Sequence, residues 1–541
     1  MRKITLIACL IFLFVSITNA QQGWWTWMHG DATPNSLGHF GAKGVSSPNN
    51  VPPDIFYPSA NWTDSKGNFW TFGGGNTISN ALWKYEIISN TWTWMHGDTT
   101  LNQGGVWGTK GVPSPNNKPS ARGFGIVSWV DAQDNLWMFG GFGKDITNSS
   151  TIPYKGSLSD LWKYDPVTNM WTWVNGPNTY NAVGNYGVKG FAAVLNQPPG
   201  RSQTNASWVD STGNFWMFGG HSNSNLGELN DLWKYEPITN MWTWMKGANT
   251  YGNIGNYGIK GVEASTNEPS ARWVYAKWTD NAGKFWIFGG THSSNTKSMN
   301  DLWRFDPVTN NWTWMSGANS FDNLPAFPNS CVASNSVYPQ ARFRNPTTWK
   351  DKCGNLWMFS GIWTGTGNNK NDIWCYKVQT NEWVFADGNR SKSYGTKGVA
   401  NASNFPPPTQ AGAAFQYNNE FWMFGGRDTT SGGNDLNTLW KYIPDSTCVQ
   451  SFCNSLPTSI LSKNSIHLKI YPNPNNGYFI IEGLNNGMQI KIYDILGREI
   501  YIAVASSKIL QINLSEKKSG IYFYKIENEN KQFSFGKIII E

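Results

Sequence analysis

Four arginines, Arg122, Arg201, Arg272 and Arg342, recur at matching places in this chain, each followed by an aspartate, Asp160, Asp231, Asp301 and Asp372. A guanidinium offers a planar fork of donors that fits a carboxylate, a sulfate or an acidic sugar, so four in register could ring an anion site. The aspartates weaken that reading. Both residues are present in the same four copies of a repeat and absent from the other two, where Ile55 and Ala81 stand in one and Thr409 or Gln410 and Thr438 in the other. The simplest account of residues that come and go together is structural pairing, within or between repeat units.

A second recurring element reads Tyr-Gly-x-Lys-Gly at Tyr186 to Gly190, Tyr257 to Gly261 and Tyr394 to Gly398, with related forms at Phe40 to Gly44 and Trp107 to Gly111. Lys110, Lys189, Lys260 and Lys397, with Lys43, make one candidate ligand face; simple solvation is the plainer alternative. His221 and His292 open equivalent loops and join that candidate face. Two histidines do not make a metal site, and no cysteine–histidine spacing matches one. There is no nucleophile elbow, phosphate loop or HExxH, so no catalytic residue, metal ligand or cofactor site is assigned. Asp210 to Asn214 resembles a calcium loop only superficially; Asp and Gly there suit a tight hairpin.

The elements that must position these residues are strands. An aromatic strand begins at Phe69-Trp70, Leu136-Trp137, Phe215-Trp216, Phe285-Trp286, Leu356-Trp357 and Phe421-Trp422, six copies in all. Each ends in a Gly pair, except for Ser360-Gly361 in the fifth, and is followed by Asp-Leu-Trp-Lys-Tyr or a variant, then Trp-Thr-Trp. Tryptophans two apart, such as Trp92 and Trp94, share one sheet face. Each unit therefore predicts four short antiparallel strands whose aromatic faces are buried by stacking units radially. The 1–2 and 3–4 turns are short and the 2–3 and 4–1 loops long, which predicts one tight face and one elaborated face. The sixth copy stops at Trp440-Lys441-Tyr442, while Trp25-Thr26-Trp27-Met28-His29-Gly30-Asp31 repeats Trp92 to Asp98 residue for residue. The prediction is an all-β fold, a six-bladed β-propeller over 21–445 closed by its own N-terminal strand.

The Gly-Gly strand end, Trp162 to Pro166 and the following Trp171 resemble kelch-type repeats, as in kelch and galactose-oxidase-like propellers. That resemblance speaks to fold and not to activity. The copies are longer than the usual kelch period of about 50 residues. The Tyr–Cys partnership and two histidines that a galactose-oxidase-like copper centre needs cannot be matched here.

After Asp445 tryptophan disappears. Residues 446–463 read as a Ser-rich linker. Over 464–541, Tyr471-Pro472-Asn473-Pro474, Ile490 to Asp494, Gly497-Arg498, Gly520-Ile521-Tyr522 and Lys537 to Ile540 suggest a small β-sandwich. This closely resembles the C-terminal sorting domain of the type IX secretion system of Bacteroidetes. The resemblance implies engagement of the secretion machinery through 464–541, passage across the outer membrane, and a released or surface-attached product. Residues 1–20 read as a signal peptide, with Arg2 and Lys3, an apolar run from Ile4 to Val15, and Thr18-Asn19-Ala20 at the cut. No later stretch is apolar enough to span a bilayer. The formal charge of +7 loses two units with the signal and falls in no basic run, which argues against a nucleic-acid binder. Once Cys9 is removed, Cys331, Cys353, Cys375, Cys448 and Cys453 remain, and Cys448–Cys453 is the expected disulfide. The expected function is a secreted or cell-surface, non-enzymatic binding or adhesion module for a glycan or protein. The alternative is a carbohydrate-active kelch enzyme of sugar-oxidase or sialic-acid-processing type.

Overall fold

The computed structural model describes residues 23–541 apart from 56–58, 75–77, 147–155, 205, 223–226, 293–296, 326, 363–370, 389, 431–432, 446, 450–467, 495–497 and 528–532. The signal segment 1–20 lies outside the described residues. The chain divides into two compact units, Met1–Gln450 and Ser451–Glu541. Among the described residues every regular element is a strand, and the sheets are small and antiparallel.

In the first unit the repeat yields four-stranded sheets. Sheet 1 is Ala60–Thr63, Phe69–Phe72, Leu82–Glu86 and Thr91–His96; sheet 2 is Val127–Val130, Leu136–Phe139, Leu161–Asp165 and Met170–Asn175. Sheet 3 is Ser207–Val209, Phe215–Ser222, Gly227–Glu236 and Met241–Lys246; sheet 4 is Ala276–Thr279, Phe285–Phe288, Leu302–Asp306 and Asn311–Ser316. Sheet 5 is Thr347–Lys350, Leu356–Phe359, Ile373–Lys377 and Glu382–Asp387, with Ala333–Ser334 added at its edge. Sheet 6 contains Ala413–Tyr417, Glu420–Asp428 and Asn434–Tyr442, and its outer strand is Trp25–His29, paired Trp25 to Tyr442 and Trp27 to Trp440.

Local chemistry explains the strand ends. In the first hairpin of sheet 1, Asp64 accepts hydrogen bonds from the Lys66 and Asn68 amides and, at 2.9 Å, from the Trp70 indole. Asp131, Asp210, Asp280 and Asp351 hold Trp137, Trp216, Trp286 and Trp357 in the same way. Asp210 to Asn214 is thus a self-satisfied turn. Sheet 6 instead turns through Asn418 and Asn419, both with positive φ, as a two-residue hairpin requires.

The sheets pack face to face through aromatic rings. First-strand Trp129, Trp208 and Trp349 stack on Phe215, Phe285 and Phe421 of the next sheet at 5.0–5.2 Å, and Phe415 of sheet 6 stacks on Phe69 of sheet 1 at 4.8 Å. Each first strand lies against the next in order, and that of sheet 6 against that of sheet 1. The second glycine of each pair donates its N–H to the following sheet: Gly74 to Arg122, Gly141 to Arg201, Gly220 to Arg272, Gly290 to Arg342, Gly361 to Thr409 and Gly426 to Ile55. Its φ of 89° to 101° is why glycine stands there.

Cys448 does not pair with Cys453, which lies outside the described residues. It bonds Cys331, with Cα atoms 4.7 Å apart. The reason is packing. Cys448 and Val449 are buried with Trp25 and Tyr442, so the segment read as the start of a linker lies over the outer strand of sheet 6. The Cys331 loop is fastened nearby to Phe385 on the outer strand of sheet 5. Closeness in sequence was a poor guide beside that. Cys353 is also disulfide-bonded, and Cys375 is free and buried.

The second unit has a three-stranded sheet (Lys469–Tyr471, Tyr478–Glu482, Ile509–Asn513) and a four-stranded one (Glu499–Val504, Gln489–Tyr493, Gly520–Glu527, Phe533–Ile540). Alternating isoleucines, among them Ile481, Ile490, Ile492, Ile512 and Ile526, form their common core. Among the described residues no helix is long and apolar enough to cross a membrane.

Candidate functional site

Arg122, Arg201, Arg272 and Arg342 enter just before the first strands of sheets 2 to 5; Asp160, Asp301 and Asp372 stand just before the third strands, and Asp231 within the longer third strand of sheet 3. Each pair lies within one sheet and is two-pronged: Arg201 Nη1 and Nη2 donate to Asp231 Oδ1 and Oδ2 at 2.9 and 2.8 Å, and the other three match at 2.6–2.9 Å. All eight side chains are at most 4% exposed. Each aspartate also accepts the indole N–H two residues on, from Trp162, Trp233, Trp303 or Trp374. Asp231 and Asp301 accept a third donor from the hydroxyls of Tyr186 and Tyr257. These groups thus direct their hydrogen bonds to one another and to the neighbouring indoles within the sheet. In sheet 1 the pair is replaced by Ile55 and Ala81. In sheet 6 the Gly361-to-Thr409 bond fixes Thr409 as the arginine's counterpart, and Thr438 accepts Trp440 at 3.2 Å.

The lysines do not gather near the first strands. Each Tyr-Gly-x-Lys-Gly loop folds back onto the outermost strand of its own sheet. Gly190 N–H donates to Trp244 O and Gly261 N–H to Trp314 O, and Asn196 and Asn267 side chains donate to Trp242 O and Trp312 O. Lys43, Lys110, Lys189, Lys260 and Lys397 then set their ammonium groups over Trp94, Trp173, Trp244, Trp314 and Trp27, 4.3–4.5 Å from the ring centres. Such cation–π contacts fasten loop to sheet. His292 is buried, with Nδ1 2.8 Å from Ala271 O and its ring on Phe321, while the His221 ring sits 5.6 Å from Trp273. Among the described residues no group of three or more His, Cys, Asp or Glu could hold a metal ion.

A different set of residues converges on the first strands. Just after the arginine position the chain passes through left-handed backbone at Phe124 (57°), Gln203 (54°), Val274 (53°), Arg344 (60°), Asn345 (49°) and Ala411 (61°). Non-glycine residues rarely hold this conformation, and it is found preferentially where surrounding structure imposes it, often at functional sites. Here backbone bonds impose it. Gln203 N–H donates to Phe124 O, Val274 N–H to Gln203 O, Asn345 N–H to Val274 O and Ala411 N–H to Arg344 O. Trp273, Val274 and Phe343 form an apolar cluster here, flanked by Phe124 and Ile362.

Within this inner ladder several polar atoms are left over. Asn345 is 2% exposed, and neither its Nδ2 nor its Oδ1 has a hydrogen-bond partner; Gln410, 5% exposed, leaves Oε1 unpaired, as does Gln203. A buried amide without partners costs about 1–3 kcal/mol. One weak signal for this set is legible in the repeat: these positions differ from sheet to sheet inside an otherwise regular pattern.

The family model described as the KLHDC2/KLHL20/DRC7 Kelch-repeats domain matches residues 109–336, and that described as the secretion system C-terminal sorting domain matches 469–541. The first unit therefore carries a Kelch repeat domain. The chain thus carries Kelch repeats over 109–336 and a type IX sorting domain over 469–541, and the sorting domain implies interaction with the secretion machinery and export to the cell surface or outside. Among solved structures the chain is similar to YjhT, at 13% identity over 75% of this chain and 96% of that one, with a TM-score of 0.44. No curated protein matches it.

Proposed function

We propose that the first unit is a six-bladed propeller in which Trp25–His29 completes the last blade, and that it serves as an exported, non-enzymatic binding module for a glycan or protein ligand. The signal peptide would be removed before Gln21. The pairing of Trp25 with Tyr442 and the cyclic order of first strands support the ring. In such a ring the inner ladder surrounds the axis on the loop-bearing side. The observation that carries the binding reading is Asn345, buried in that ladder with both amide atoms free beside the aromatic cluster of Trp273 and Phe343. Amides that hydrogen-bond and rings that stack suit a sugar face.

The test is glycan-array and partner-capture binding by the mature chain, with Asn345→Ala and Gln410→Ala beside it. Ligand bound by the wild type and weakened at least tenfold by Asn345→Ala, with an unchanged melting temperature, is the expected result. Undiminished binding by both variants would move the site elsewhere. Stoichiometric copper or zinc in the purified protein would overturn the non-enzymatic reading.

A further inference from the structure

We propose that Lys277 anchors a site for a small carboxylate inside the ring, beneath the inner ladder; the inference rests on the propeller reading above and deepens it by naming the ligand class. The argument begins with one repeated position, the residue before the first-strand aromatic. It is Asn61, Ser128, Ser207, Lys277, Thr348 and Ala414 in sheets 1 to 6. Five are neutral, and the sixth is a cation.

The structural duty of this position is visible in its neighbours. Asn61 Nδ2 donates to Ala414 O of the preceding sheet at 2.7 Å, and Ser128 Oγ to Asn61 O at 3.1 Å. Lys277 Nζ makes the same kind of bridge, to Ser207 O at 3.4 Å, and a further contact to the Ser207 hydroxyl. An amide or a hydroxyl performs that bridge without a charge, so the bridge does not explain the ammonium.

The other prominent cations of this unit are accounted for. The four buried arginines have aspartates, and the loop lysines have indole rings. Among the described residues Lys277 has no carboxylate partner. Burial alone acts on its amine, pushing it down to about 7. Lys277 is half-buried, and a partly desolvated cation without a counter-charge carries a cost that an anion beside it would offset. The groups nearby suit a carboxylate. The Ser207 hydroxyl can donate to one oxygen. Val274, three residues before Lys277 on the same chain segment, is hydrogen-bonded on one side to Gln203 and on the other to Asn345, whose Nδ2 is unclaimed. A bound anion would hold the amine protonated, and one ammonium matches one negative charge, which favours a carboxylate over sulfate or phosphate.

The experiment uses the mature full chain and sodium acetate as probe, at constant ionic strength against sodium chloride and sodium sulfate. Reductive methylation by formaldehyde, read by mass spectrometry, follows Lys277, with exposed Lys508 as internal control. Saturating acetate should slow methylation of Lys277 at least tenfold and leave Lys508 unchanged, and should raise the melting temperature in a saturable way that Lys277→Met abolishes. Three results overturn the proposal: equal labelling of Lys277 with and without acetate, no labelling of Lys277 under any condition, or the same acetate shift in Lys277→Met. If that variant does not fold, the wild-type labelling decides. Glycan or protein binding without acetate protection would sink this inference alone. Acetate protection in a chain that binds no glycan or protein would sink the wider binding reading alone.

Discussion

Sheets 2 to 5 and the two sheets that lack the arginine–aspartate pair, 1 and 6, solve one packing problem differently. In the first group a third-strand indole N–H is satisfied by an aspartate, the aspartate by an arginine, and in sheets 3 and 4 also by a tyrosine hydroxyl. In sheet 1 the whole set is apolar: Ile55, Ala81 and, in the tyrosine's place, Phe40, packed 4.9 Å from Trp83. The price is a single orphan, the buried Nε1 of Trp83. Sheet 6 stands between, with a threonine acceptor. Because all these sheets form, the ion pair is one way to fill the space and not a condition for the fold. Removing it whole differs from removing half, since half leaves a bare buried charge.

The largest effect expected concerns the sixth sheet, whose outer strand comes from the far end of the chain. Deleting residues 21–31 removes Trp25, which touches Trp349, Phe359, Phe405, Trp440 and Tyr442. Loss of one such aromatic costs about 3–5 kcal/mol, against a total stability of roughly 5–15 kcal/mol. The truncated chain should lose cooperative unfolding in calorimetry. An unchanged melting temperature would refute the closure.

Next in size is Asp231→Ala in sheet 3. It should cost about 3–5 kcal/mol, as breaking a buried pair does. Arg201→Ala should cost a similar amount, and the double variant clearly less than the sum, measured by denaturant unfolding. Additive effects would return the arginines to the ligand site. The matching change in sheet 6, Thr438→Ala, should cost only about 1 kcal/mol, the worth of one neutral hydrogen bond.

Acid sharpens the comparison further. His29 on the outer strand of sheet 6 and His96 on that of sheet 1 each accept a hydrogen bond at Nδ1 from the following glycine, Gly30 and Gly97, at 2.9 Å. An accepting nitrogen must be unprotonated. Burial first, then nearby lysines (Lys397 for His29, Lys43 for His96), lower both from 6.5 to about 4. The folded state therefore binds these protons less readily than the unfolded chain. Their contribution is complete above pH 6.5 and is lost as pH falls toward 4. Sheet 2 uses Asn175 for the same bond, to Gly176. His29→Asn with His96→Asn should keep the bonds and flatten the fall in melting temperature between pH 6.5 and 4. An equally steep fall would place the acid sensitivity elsewhere.

Much of this contrast was legible in the sequence, because a repeat exposes correlated losses: Arg and Asp vanish together, and the missing Trp-Thr-Trp of the sixth copy reappears at residue 25. What stayed hidden depends on how loops run. The glycines and lysine of Tyr186 to Gly190 read as a solvent-facing loop, which they form, but nothing in the sequence showed that the turn lays Lys189 over Trp244. Cys331 and Cys448 are 117 residues apart, and only the fold makes them neighbours. Asn345 and Lys277 repeat nowhere, so periodicity could not single them out, and the departure itself was the signal.

The smallest effect would settle what the apolar solution in sheet 1 costs. Ala81 occupies the place of Asp160 and Thr438, one residue before the leucine that precedes the strand-3 tryptophan. It borders a small cavity together with Ile55 and Trp83. Ala81→Ser adds a single oxygen there, within reach of the orphaned Trp83 Nε1 by analogy with the Thr438–Trp440 bond. An acceptor supplied without a charge should stabilise the unit by about 0.5–1.5 kcal/mol. Ala81→Asp, which supplies the same acceptor with an unpaired charge, should destabilise it, because Ile55 offers no counter-ion. If serine destabilises as well, the indole was never short of a partner, and the apolar sheet is complete as it stands. If serine stabilises and aspartate does not, the arginines of sheets 2 to 5 are there to neutralise the aspartates, and the aspartates are there to satisfy tryptophan.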